Sequence, residues 1–120
     1  MNYKGQSFFF RMRYALSGIK HTWQNEVSFR TQVRLAVLAL SSLFIVRPPM
    51  LWVALVVVMV CLVLVLELVN TAVEQVLDGL HPGQAEFVRI AKDCAAGAVF
   101  VASLAALCIY IMMLVFLVQV

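Results

Sequence analysis

Residues 94–120, CAAGAVFVASLAALCIYIMMLVFLVQV, contain no charged side chain. Residues 50–66, MLWVALVVVMVCLVLVL, are equally free of charge. A hydrocarbon core of about 30 Å is crossed by about 20 helical residues, so each run is long enough to span a bilayer. Backbone amides in lipid find no water, and a helix satisfies them internally. Composition agrees, with 64% hydrophobic and 12% charged residues. A soluble domain carries about twice that charged share, so this chain lacks the polar surface to coat a water-exposed core.

A third run, LAVLALSSLFIV at 35–46, is short by itself and crosses only when extended back towards Phe29, with Arg34 reaching for the interface. Arg47-Pro48-Pro49 ends it, because consecutive prolines cannot continue a helix. The expected fold is all-α and integral to the membrane, one embedded domain over 1–120, with transmembrane helices at about 29–47, 50–78 and 91–119. A further helix is expected at about 8–25. There Phe9, Met12, Leu16, Ile19 and Trp23 recur at helical spacing against Arg11, Arg13, Lys20 and His21. That pattern suits an amphipathic helix in the headgroup plane.

Lys4, Arg11, Arg13, Lys20, Arg30 and Arg34 precede or open the first span, and Arg89 and Lys92 lie between the second and third. Positive residues favour the cytoplasmic side, which predicts a cytoplasmic N-terminus and an outside C-terminus. The short apolar run at Phe8–Phe10, followed at once by arginine, does not have the form of a signal peptide. Cys61, Cys94 and Cys108 have no metal-ligand spacing and no disulfide is expected; Cys61 and Cys108 lie inside apolar runs, as small packing residues do. No basic cluster interleaved with aromatics points to nucleic acid.

The segment LVLVLELVNTAVEQVLD at 62–78 breaks the apolar pattern with Glu67, Asn70, Glu74 and Asp78. At 100° per residue these four share one helix face. Carboxylates at membrane depth are costly and should face a protein interior or a wet cleft. Asp78 can simply mark the helix end. Glu67 has no well-placed cation in the spans to pair with, which favours a functional carboxylate. Carboxylates on adjacent turns can hold Mg²⁺, and a deeper one can take a proton from a lipid hydroxyl. Glu26 could fold back against Glu74, or form an i,i+4 pair with Arg30. Lys92-Asp93 opens the third span, where a lysine can meet a phosphate. Neither a GxxxxGK[ST] loop nor the protein-kinase motif set is present.

Three stretches carry a family resemblance: YALSGIKHTWQNEVSFR, the run ELVNTAVE, which fits E-x-x-N-[ST]-A-x-E, and RIAKDCAAGAV. The chain resembles the small bacterial membrane lipid kinases, which comprise diacylglycerol kinase and undecaprenol kinase. The resemblance implies a homotrimer in the bacterial inner membrane with active sites shared between protomers. It implies transfer of the γ-phosphate of MgATP to a lipid hydroxyl, with diacylglycerol ahead of undecaprenol as acceptor. By the same resemblance Glu67 is the general base, and Glu26 and Glu74 bind magnesium. Tyr14, Glu26, Asn70, Glu74, Lys92 and Asp93 serve the nucleotide. Segments 11–16, 20–23 and 28–32 line the lipid site, with Arg11, Tyr14, Lys20, Trp23, Phe29, Arg30, Gln32, Glu67 and Ala96 as contacts. Two departures stand out. Gly83-Gln84-Ala85 replaces a stretch with tyrosine and histidine near the nucleotide, and Gln32 replaces an acid. NTAVE and AKDCAAGAV lean towards the undecaprenol kinase branch. The competing class is a non-catalytic three-span assembly subunit whose acidic stripe packs against partner helices.

Overall fold

The computed structural model describes residues 4–120 and is helical wherever it is regular. Four helices follow in order: α1 (Phe8–Asn25), α2 (Val27–Val46), α3 (Met50–Leu80) and α4 (Glu86–Gln119). The last three are long and apolar enough to cross a membrane.

A single residue joins α1 to α2. Glu26 is extended (φ −116°, ψ 109°), which stops one helix and starts the next. Its N–H still donates to the Thr22 carbonyl at 2.8 Å, and its own carbonyl accepts from the Arg30 N–H at 3.3 Å. The Arg30 guanidinium donates to the Trp23 carbonyl at 2.6 Å, and the Asn25 amide to the His21 carbonyl at 2.8 Å. The Arg30 bond satisfies a carbonyl that the end of α1 leaves without an intrahelical partner. Of the two arrangements open to Glu26, the i,i+4 pair with Arg30 is not formed: the guanidinium is used on a backbone carbonyl.

At the opposite end, Arg47 takes the left-handed conformation (φ 52°, ψ 58°) and its N–H donates to the Leu43 carbonyl at 2.9 Å. A residue in this conformation commonly ends a helix, and glycine usually supplies it. Pro48 and Pro49 then turn the chain, and the Pro49 carbonyl accepts the N–H of Trp52 at 3.0 Å to begin α3.

The helices outlast the hydropathy that announces them. α4 begins at Glu86 rather than near 91, and α3 runs to Leu80 rather than 78. Arg89 bridges Glu86 and Asp93 at i,i+3 and i,i+4 spacing, so the start of α4 is built from polar pairs rather than apolar residues. The 20 residues of α2 rise about 30 Å. The 31 of α3 and 34 of α4 rise about 46 and 51 Å, more than the hydrocarbon thickness. Since α2 and α3 are joined by a tight turn, the surplus of α3 projects beyond the α1 end of α2.

α3 is the central helix and packs on α1, α2 and α4. Near the Arg47 turn the core is Leu43, Val56 and the fully enclosed Met113, flanked by Trp52 stacked at a tilt on Phe116 with centroids 5.8 Å apart. α2 and α4 meet through side chains. Gln32 Nε2 donates to Ser103 Oγ at 3.3 Å, and the Ser42 and Tyr110 hydroxyls share a 2.5 Å bond. An apolar groove of about 490 Å³ lies between these two bridges. The three cysteines are free and exposed on the protomer, not packed inside it as the apolar contexts of Cys61 and Cys108 suggest.

Candidate functional site

The polar face of α3 meets the α1–α2 joint. Glu67 is buried, with 4% of its surface exposed, and its Oε2 accepts from Ser28 Oγ at 3.1 Å. Ser28 is in the first turn of α2, so Glu67 lies where that span begins. The same depth follows along α3: Glu67 is about 26 Å from the helix start by the rise per residue. The carboxylate therefore lies near the end of the apolar run of α3, followed by the turns that carry Asn70, Glu74 and Asp78.

No ion pair reaches Glu67 among the described residues, so Ser28 partners it without neutralising it. Glu26 and Glu74 both lie close enough to bear on its charge. Helical spacing accounts for Glu74. The extended joint accounts for Glu26, which it sets next to the stripe although the two are far apart in sequence. Thr71, also buried, donates back to the Glu67 carbonyl at 3.1 Å. Asn70 Nδ2 donates to Glu74 Oε1 at 3.3 Å, while its Oδ1 is buried with no protein partner. An enclosed acceptor of this kind needs a donor or a cation. With two carboxylates beside it, the donor set is hard oxygen, which suits Mg²⁺ completed by substrate phosphates and water. The described residues do not form a ready cluster of three His, Cys, Asp or Glu ligands.

Lys92 faces the same stripe from α4. Its Nζ donates to Asp78 Oδ1 at 2.7 Å, and the charge of Glu74 also bears on it. Asp93 turns away to Arg89 Nη1 at 2.9 Å, so within the protomer it does not accompany Lys92. Of the other expected contacts, Arg11, Tyr14, Lys20 and Trp23 are exposed along α1, and Ala96 is exposed on α4. Phe29 is buried at 4% exposure and acts as packing within the protomer. Arg30 and Gln32 are engaged as described above. The sequence singled out neither the Ser28 bond to Glu67 nor the Asp78–Lys92 pair. Both link positions far apart in the chain, where periodicity carries no signal.

These features define a membrane-spanning helical protein with a buried, unneutralised carboxylate beneath an acidic and amide-bearing stripe. Residues 13–114 match the family described as prokaryotic diacylglycerol kinase. A protein named diacylglycerol kinase from Synechocystis sp. is 40% identical over 96 residues, covering 78% of this chain and 54% of that protein. Another of that name, from Haemophilus influenzae, is 35% identical over 90 residues, covering 75% of this chain and 76% of that protein. The chain belongs to the prokaryotic diacylglycerol kinase family. It spans about half the length of the Synechocystis relative.

Proposed function

We propose that the protein is an ATP-dependent lipid kinase of the inner membrane that transfers the γ-phosphate of MgATP to the hydroxyl of diacylglycerol, giving phosphatidic acid. The observation that carries this reading is the placement of Glu67. A buried carboxylate without a cation, at the edge of the hydrocarbon, is where a lipid hydroxyl stands while its chains remain in the bilayer. A purely structural acid there would be paired.

In this reading Glu67 takes the hydroxyl proton as the lipid oxygen bonds to the γ-phosphorus and the bond to the β-phosphate oxygen breaks, leaving ADP. Ser28 orients the Glu67 carboxylate through its hydrogen bond. Glu26 and Glu74 hold Mg²⁺, which when bound offsets phosphate charge, and the free Oδ1 of Asn70 faces the same space. Lys92 contacts the phosphates. Asp93, paired with Arg89 in the protomer, serves the nucleotide after a change of partner. The exposed face of α1, with Arg11, Tyr14, Lys20 and Trp23, lies in the headgroup plane and borders the lipid. The basic residues around α1 and before α4 favour a cytoplasmic N-terminus and an outside C-terminus.

The site is completed by assembly. The protomer leaves large apolar side chains exposed along every span, and the small residues Ala96 and Ala98 lie open on α4. Small residues let helices approach closely in a bilayer. The assembly is a homotrimer, and each Glu67 faces a cleft lined partly by a neighbour.

Transfer of labelled phosphate from MgATP to diacylglycerol in mixed micelles tests the reaction, with undecaprenol run in parallel. Phosphatidic acid as the favoured product is expected. Preference for undecaprenol moves the chain to the other branch, and transfer to neither lipid leaves the assembly-subunit reading. Mixing Glu67→Gln with Glu26→Ala protomers tests the shared site. Because the protomer sets its own Glu26 beside Glu67, dead mixtures of well-formed oligomers are expected, whereas recovery near the fraction set by random mixing would show that the two residues of one site come from different chains.

A further inference from the structure

The Asp78–Lys92 ion pair has no part in the chemistry above, yet it engages the lysine assigned to the phosphates. Asp78 sits in the last turn of α3, where an acid faces the negative end of the helix dipole. Helix stability alone does not favour it there. Lys92 reaches it from the second turn of α4 across the mouth of the α3–α4 hairpin, at 2.7 Å. Both residues line an open cleft of about 610 Å³, together with Gly83, Gln84 and Arg89. Glu74 is one turn of α3 below Asp78 and also acts on the ammonium. Lys92 thus feels two carboxylates and bonds to the one farther from Glu67.

The pair is wet. The lysine side chain is 37% exposed and the aspartate 62%. Exposed pairs of this kind are weak, so a polyphosphate carrying several charges can displace the single carboxylate. We infer that Asp78 is the resting counter-ion of Lys92, holding the ammonium at the cleft until a nucleotide phosphate takes its place, and so sets the affinity for nucleotide. Asp78 is a positioning residue that acts through Lys92. The inference rests on the lipid kinase reading for the role of Lys92. A ligand that must first free its partner binds more weakly by the fraction of partner already free.

The experiment is equilibrium dialysis of MgATP against the detergent-solubilised full chain without lipid, where no turnover occurs. Asp78→Asn should bind MgATP about two- to fivefold more tightly, the range an exposed pair can withhold. Asp78→Ser should do the same, which covers a failure of the first variant to fold. Asp78→Glu should keep wild-type affinity. In a Lys92→Gln background, where binding is weak, removing Asp78 should give no comparable gain. Unchanged or weaker binding by both Asp78 variants overturns the inference and leaves the pair as a tie between helices. An equal gain with and without Lys92 also overturns it, because general charge repulsion would then be the cause. Lipid phosphorylation is scored separately. Tighter binding without transfer to any lipid keeps the counter-ion role and removes the lipid kinase reading. Transfer with unaltered binding does the reverse. No binding of MgATP to the wild-type chain removes both.

Discussion

The two ends of the helix bundle solve different problems. Around the Arg47 turn, α2, α3 and α4 meet through Leu43, Val56, Met113, Trp52 and Phe116, and the polar link between helices there is the Ser42–Tyr110 bond. Around the Glu26 joint, the buried residues include Thr22, Glu67 and Thr71. There a carboxylate is enclosed without a cation and an amide oxygen is left without a partner. Enclosed polar groups lacking full partners cost free energy, and such costs gather at functional sites. One end holds the fold, and the other leaves its bonding capacity open for something that is not protein.

That division is broken most directly by one substitution at each end. Glu67→Gln keeps the shape and can still accept from Ser28, but it is no longer a carboxylate base. It should lower kcat by about 10²-fold or more, the usual worth of acid–base catalysis, with nucleotide affinity and thermal stability near wild type. Met113→Ala should do the opposite. Emptying a fully enclosed site costs about 2–5 kcal/mol in protein cores, so the melting temperature should fall while the KM for MgATP holds. Single-turnover kinetics beside thermal melts of both variants checks the contrast. Near-normal turnover by Glu67→Gln removes the general-base role.

The next effect is on the metal requirement. Glu26 and Glu74 reach the site from different elements, a one-residue joint and a helix face, and converge on the charge of Glu67. Glu26→Ala and Glu74→Ala should each shift the magnesium titration of activity to higher concentration. About tenfold is expected, as for loss of a charge-assisted contact near the upper end of ordinary hydrogen bonds. Superimposable titrations for both variants and wild type would make the two acids bystanders. Because the Arg30 guanidinium is held by the Trp23 carbonyl, the Glu26 substitution should barely disturb the joint itself.

The sequence showed the helix count and the acidic face because both are periodic. Apolar runs of span length and the 3.6-residue repeat of Glu67, Asn70, Glu74 and Asp78 can be read along a line. The α4 start could not, since Glu86, Arg89 and Asp93 extend the helix by pairing rather than by hydropathy. Partners are harder still. Asp93 follows Lys92 directly, and the resemblance assigns both to the nucleotide. Neighbours in a helix point about 100° apart, so one met Arg89 and the other Asp78. The resemblance to the family supplied roles for residues that physics left open, notably Glu26. It carried no information about Ser28 as the hydrogen-bond donor to Glu67.

Ser28 gives a smaller test of the same end. Its hydroxyl fixes one carboxylate oxygen of Glu67, and in the proposed reaction the other takes the lipid hydroxyl proton. Ser28→Ala removes that restraint without removing the base. A lost hydrogen bond of ordinary strength corresponds to about a three- to tenfold fall in kcat. Ser28→Thr keeps the hydroxyl and should recover most of the activity. If alanine and threonine are equally impaired, crowding at the joint rather than the hydroxyl is responsible.

The smallest effect belongs to the other end, where one hydrogen bond can be removed without touching the chemistry. Tyr110 and Ser42 link α4 to α2 across the groove, far along both helices from Glu67. Ser42 Oγ also bonds the Ala39 carbonyl at 2.6 Å, so it keeps a partner when the phenol is lost. No buried group is then stranded, which spares the larger penalty of an unsatisfied atom. Hydrogen bonds between membrane helices average about 0.6 kcal/mol, and Tyr110→Phe should cost about that much, a shift of a degree or two in the melting temperature. The Phe ring retains the packing against the Leu43–Val56–Met113 cluster. Both kcat and KM should remain at wild-type values. A several-fold change in kcat from Tyr110→Phe would show that the spacing of α2 and α4 is communicated to Glu67, and the separation of a holding end from a reacting end would no longer stand.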